Sequence, residues 1–170
     1  MAGKAFHWYR PLIYDEFGYT SVGGTAYGVS SHYIRGDVYT GVAGTGTSMS
    51  AAVINEGDAF RIGLYKESDD SFIKGTVEGS ALAVKDFIPL NFTDNPTLEA
   101  IDYVLCVYAG VGVSLWGDAA TGWPDRVVYA AYPTWPGSPS FADYTGYKYS
   151  IYCTYTPVGV AFIPKFVGVI

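Results

Sequence analysis

A chain of 170 residues that is 49% hydrophobic and only 15% charged has the length of one domain and enough apolar side chains to bury a core, which excludes a disordered chain. Its net charge of −6, with no run of Lys or Arg, excludes nucleic acid as the expected partner, because phosphate binding needs clustered cations. No window approaches the roughly 18 consecutive apolar residues of a spanning helix, so no membrane span is expected.

The chain opens with an aromatic arm, FHWYRPLIYDEF at Phe6 to Phe17. It has no apolar stretch followed by a small-residue cleavage site, so the sequence shows no secretory signal. Gly and Pro then punctuate the chain at intervals that give segments of strand length and almost none of helix length. Strands are expected over 26–34, 37–42, 47–54, 59–66, 74–84, 86–90, 101–109, 114–116, 127–131 and 147–156. Pro96 to Ala100 is the one piece compatible with a helix, a single turn. In 59–66, Phe60, Ile62 and Leu64 share one face and should be core, with Arg61, Gly63 and Tyr65 on the other. The acidic Glu67 to Ser71 reads as a hairpin loop. Tyr103 to Tyr108, YVLCVY, is apolar throughout, as a central strand covered on both faces would be. Ala119 to Thr145, rich in Trp and Pro, reads as an ordered excursion from the sheets. In Tyr147 to Thr156, YKYSIYCTYT, the side chains alternate almost without error between an aromatic or apolar face and a polar one; only Tyr152 breaks the pattern.

Chemistry finds little support. His7 and His32 lack metal-ligand spacing with one another or with either cysteine, and no nucleophile elbow, P-loop or dinucleotide fingerprint occurs. Nearly all carboxylates, such as Glu56 with Asp58 and Asp69 with Asp70, fall in predicted turns, where solubility and turn geometry account for them. Their spacing matches no definite calcium motif. No metal, cofactor or catalytic residue is expected. Cys106 and Cys153 occupy apolar strand positions and read as free core thiols, with a bridge open only if their strands are neighbours.

Several segments together carry a resemblance: GYTSVGG from Gly18, GTGTSMSAAVI from Gly44, FRIGLYKESDDSFIKGT from Phe60, FIPLNF from Phe87, IDYVLCVYAG from Ile101, and YKYSIYCTYT. Their order resembles a jelly-roll domain found in phage structural proteins, archaeal surface proteins and secreted bacterial multidomain proteins. The resemblance implies an all-β, antiparallel two-sheet jelly-roll sandwich over 18–157, similar to carbohydrate-binding modules, but no single function. It leaves out an N-terminal arm, 1–17, and an apolar tail, 158–170, interrupted by Pro164 and Lys165.

Two functional expectations follow. Apolar ends without a place in the sandwich must be covered, by folding back or by docking on another subunit. Phe6, Trp8, Tyr9, Phe162, Ile163, Phe166, Val167 and Ile170 are the candidate assembly residues. On that reading the chain is a non-enzymatic structural subunit, a homo-oligomer or a protein docked on a scaffold, in a virion as a coat, decoration or tail-associated protein. The alternative is an extracellular carbohydrate-binding module or adhesin domain. There Trp116, Trp123 and Trp135, with Tyr129, Tyr132 and Tyr144, would form the surface that stacks on a glycan, and Asp118 and Asp125 would accept its hydroxyls. Against it stands the simpler account that these aromatics pack a long loop onto the sandwich.

Overall fold

The computed structural model describes residues 14–55 and 58–159. In chain order its strands are β1 (Asp15–Gly18), β2 (Thr25–Val29), β3 (Tyr33–Thr40), β4 (Gly44–Ala51), β5 (Val53–Ile54), β6 (Ala59–Lys66), β7 (Phe72–Gly75), β8 (Gly79–Ser80), β9 (Ile88–Asn91), β10 (Thr97–Leu98), β11 (Asp102–Ala109), β12 (Val113–Tyr129), β13 (Ala142–Tyr149) and β14 (Ile151–Pro157). They form two antiparallel sheets packed as a sandwich. The smaller, five-stranded sheet runs β1-β14-β4-β10, with β9 also on β4; the larger, nine-stranded sheet runs β13-β12-β3-β11-β6-β7, with β2, β5 and β8 on its margins. The described residues contain no helix, and so none long and apolar enough to cross a membrane.

The pairing is nested. β1 pairs with β14, β3 with β11, β4 with β9 and β10, and β6 with β7, first with last and inward from there. Such nesting across two sheets is a jelly roll, to which β12 and β13 add a long hairpin beside β3.

Alternation builds the core. Phe60, Ile62 and Leu64 of β6 face inward, as do Tyr103, Leu105 and Val107 of β11 and Met49, Ile151 and Cys153 from the facing sheet, all essentially without exposed surface. Burying each large apolar side chain contributes about 1.5–3 kcal/mol, so this layer is the main stabilising element. The opposite face of β11 is buried too: Val104, Cys106 and Tyr108 join Ile34, Tyr65 and Ala130 in a second cluster, covered by Tyr132, Trp135 and Phe141 from the segment after β12. The central-strand reading of 103–108 therefore holds. The two thiols lie in different clusters, and both are free.

The strands expected over 26–34, 47–54 and 147–156 are each broken, before Tyr33, at Ala52 and at Ser150, and four further boundaries differ from expectation. The sandwich starts before Gly18: Asp15 to Gly18 pair with Tyr155 to Tyr152, and Phe17 packs in the core against the Tyr103 ring. Pro96 to Ala100 forms no helical turn, because Thr97 and Leu98 pair with Thr45 and Gly44. The strand expected over 74–84 ends at Gly75, with only Gly79–Ser80 pairing again on β6. The excursion from Ala119 shrinks to the residues between β12 and β13, since β12 continues through an irregularity between Ala120 and Pro124 to Tyr129.

Candidate functional site

Six of the residues expected to read a glycan fall into three separate settings. Trp116, Asp118, Trp123 and Asp125 lie on β12, and Tyr132 and Trp135 in the segment that follows it. The first setting is at the end of the sandwich where β12 meets β13. Asp118 stands opposite Lys148 and accepts hydrogen bonds from the Tyr19 hydroxyl and, at 2.7 Å, from the Gly24 backbone N–H. Those donors hold its carboxyl below the usual range. The Lys148 ammonium lies 4.4 Å from the Tyr19 ring centroid and 4.6 Å from that of Trp123, and Lys85 sits 4.7 Å from that of Trp116. Each of these indoles thus already carries a protein cation over a ring face.

In the second setting, Trp135 is laid across β6 and β7. A Cβ at Gly63 or Gly75, which are cross-strand partners, would fall within about 2.5 Å of its ring atoms, so the indole needs both glycines as its floor. Phe72 stacks on it at 5.3 Å and 17°, and Tyr65 and Tyr108 approach its edges. Tyr132 packs on Tyr108 at 5.0 Å and donates from its hydroxyl to Glu78. The simpler account weighed for these aromatics, loop packing on the sandwich, describes Tyr132 and Trp135. His32 also serves this segment: it adopts φ 65 in the turn before β3, and its Nδ1 accepts the Tyr132 N–H at 3.4 Å.

The third setting is a buried polar network that sequence reasoning did not find. Tyr33, Arg35, Asp37 and Tyr39 share one face of β3, and Tyr129, Val127 and Asp125 of β12 stand opposite the first three. Asp125 is wholly buried rather than available to a ligand; its Oδ2 accepts from Arg35 Nη2 at 2.8 Å and from the Tyr149 hydroxyl at 3.2 Å. Asp37, equally buried, accepts the Tyr149 N–H and, at 3.2 Å, the Tyr39 hydroxyl. Burial first, and the facing Asp125 charge with it, push the Asp37 carboxyl up to about 8, against the pull of the Tyr149 N–H. The visible signal was an Arg and an Asp two apart within IRGDVY, which puts both on one face of a strand.

Arg35 connects this network to solvent. Its side chain is 21% exposed, its Nη1 donates to the Gly28 carbonyl at 3.3 Å, and the Tyr147 and Tyr149 rings lie 5.5 and 5.3 Å from the guanidinium carbon. Outward of it opens a cleft of about 220 Å³ lined by Arg35, Tyr33, Tyr144, Val127 and the Gly28–Ser30 segment. Convergence of a held guanidinium, tyrosine rings and main chain in one concavity makes this the candidate site. It offers N–H donors and ring faces, while the two carboxylates behind it position Arg35. Among the described residues no group of three or more His, Cys, Asp or Glu is placed to hold a metal ion.

No protein-family model matches the chain, and no curated protein matches it in sequence. These comparisons lend no support to a likeness to phage or carbohydrate-binding proteins in particular; the nested pairing shows an antiparallel two-sheet sandwich. The candidate assembly residues Phe6, Trp8, Tyr9, Phe162, Ile163, Phe166, Val167 and Ile170 lie outside the described residues.

Proposed function

We propose that the chain is a non-enzymatic structural subunit that assembles with copies of itself or docks on a larger scaffold, in a virion as a coat, decoration or tail-associated protein. One observation carries the reading: both ends of the sandwich lie at one corner. Asp15 at the start of β1 stands opposite Tyr155 near the end of β14, and the Val158 N–H donates to the Ala43 carbonyl beside it. The aromatic arm and the apolar tail are thus attached side by side on the same sheet. Two apolar segments rooted together would bury one another's surface, or a neighbour's, more effectively than segments rooted far apart. A jelly roll with its edge strand at that corner is a form suited to symmetric contacts.

The test is the mass of the full chain by size-exclusion chromatography with light scattering, with electron microscopy of the same fractions, alone and with residues 158–170 removed. The reading expects a discrete oligomer, ring, tube or shell from the full chain and a folded monomer from the shortened one. A truncated protein that assembles as before would remove the tail from the argument. A full chain that stays monomeric both alone and with candidate scaffold proteins would overturn the reading.

A further inference from the structure

Of the residues expected to contact a glycan, Tyr144 alone lines the cleft at Arg35, and the composition of that cleft narrows what it would take. Its guanidinium is fixed before any ligand arrives, by Asp125, by the Gly28 carbonyl and by the Tyr147 and Tyr149 rings. A guanidinium has five N–H donors, and the two hydrogen bonds it makes to Asp125 and Gly28 leave donors over for the cleft it lines. Tyr33 and Tyr144, 37% and 56% exposed, supply its aromatic walls, and Tyr129, 64% exposed, extends the wall by packing edge-on to Tyr33 at 5.5 Å.

Charge and size select the ligand class. Asp125 already neutralises Arg35, and the chain carries −6 overall, so an anion gains little here; a cation would face the guanidinium. An uncharged ligand with hydroxyls to accept N–H bonds and C–H faces to lie on tyrosine rings meets every group present. The cleft, about 220 Å³, is smaller than the roughly 300–1,000 Å³ of sites that enclose drug-sized ligands, which suits one ring rather than a chain.

We propose that the cleft formed by Tyr33, Arg35, Val127 and Tyr144 binds a single sugar ring of a neutral glycan, with Arg35 donating to its hydroxyls and the two tyrosines stacking on its faces. The site is independent of the assembly reading, since it lies on the larger sheet and uses neither end of the chain.

The test uses the full chain on an array of neutral glycans, with sialylated glycans and inorganic phosphate as anionic probes, followed by titration of any hit by calorimetry. Tyr144→Ala and Tyr33→Ala change exposed rings and should fold as the parent does, which their thermal unfolding would verify. Binding of at least one neutral glycan, weakened tenfold or more in both variants and unchanged in Trp116→Ala, is the expected result. Silence across the neutral array, binding confined to the anionic probes, or full affinity in both tyrosine variants would overturn the proposal.

Discussion

Asp37 and Asp125 stand directly opposite one another on β3 and β12, both wholly buried, and each keeps one oxygen, Oδ1, without a hydrogen-bond partner among the described residues. Two facing carboxylates in so dry a place cannot both carry charge cheaply, and the structure resolves the conflict by favouring the proton on Asp37. Arg35 reaches Asp125 at 2.8 Å.

A pH dependence follows from that proton. With a folded value of about 8 against an ordinary value of 3.8, the folded chain keeps a proton on Asp37 that the unfolded chain has lost between these limits. The stability contributed is therefore full below about pH 4 and declines as pH rises to about 8, by about 1.4 kcal/mol per unit for this group alone. Asp37→Asn, which keeps an oxygen for the Tyr149 N–H and replaces the acid proton by an amide, should flatten that decline. Urea unfolding of both proteins at pH 5 and pH 8 measures it. Between pH 5 and pH 8 the variant should gain on the parent by about 3–4 kcal/mol; an equal difference at both values would show that Asp37 is ionised throughout.

The same pair shows where the sequence was legible and where it was not. Period-two alternation identified Phe60, Ile62 and Leu64 as core, and it found the inward face of 147–156 correctly, because one buried face imposes that pattern on any strand. It could not reveal that this stretch is two strands in different sheets. Alternation survives a change of sheet when the inner faces of both sheets line one core. Carboxylates were read as turn residues on their usual preference, which holds for Asp69, whose carboxylate accepts the Ser71 N–H. Asp37 and Asp125 are exceptions that only cross-strand register could bring together. For the tryptophans, composition gave their number but not their partners, and partners separate a stacking platform from a packed loop.

Trp135 should behave as a structural residue. Trp135→Ala would uncover Phe72 and the Gly63–Gly75 floor, at a cost of about 3 kcal/mol by analogy with large-to-small changes at packed aromatic sites. Gly63→Ala would place a methyl group 2.5 Å from the indole and should cost about 1–3 kcal/mol through overpacking. Because both act through the same contact, the glycine change should cost clearly less once the indole is gone. A double-mutant cycle by chemical denaturation reads this coupling, and strict additivity would mean that the ring does not rest on the glycines.

Neither thiol should react in the folded protein. Cys106 and Cys153 have no exposed surface; burial pushes the Cys153 thiol up to about 12 and that of Cys106 higher still. An aromatic disulfide reagent should find no reactive thiol under native conditions and both after unfolding, on the timescale of unfolding itself. Reaction of one equivalent in the native state would indicate local opening of its strand.

Ser150 is the hinge on which the last two strands change sheets, and its hydroxyl is the most economical place to test the corner. β13 ends on the larger sheet at Tyr149 and β14 begins on the smaller at Ile151. Between them the Ser150 N–H donates to the Trp116 carbonyl at 2.8 Å and its own carbonyl accepts the Ala52 N–H at 3.0 Å, where the chain likewise breaks between β4 and β5. Its buried Oγ accepts the Gly23 N–H at 2.8 Å. Ser150→Ala keeps both main-chain bonds and leaves that one N–H without its acceptor, so a loss of about 1–3 kcal/mol with unchanged fold is expected from thermal unfolding and circular dichroism. Ser150→Val adds bulk to a site with no free surface and should cost more. If Ser150→Ala were as stable as the parent, the Gly23 N–H would have to find another acceptor, and the segment before β2 would be free to shift without disturbing the corner.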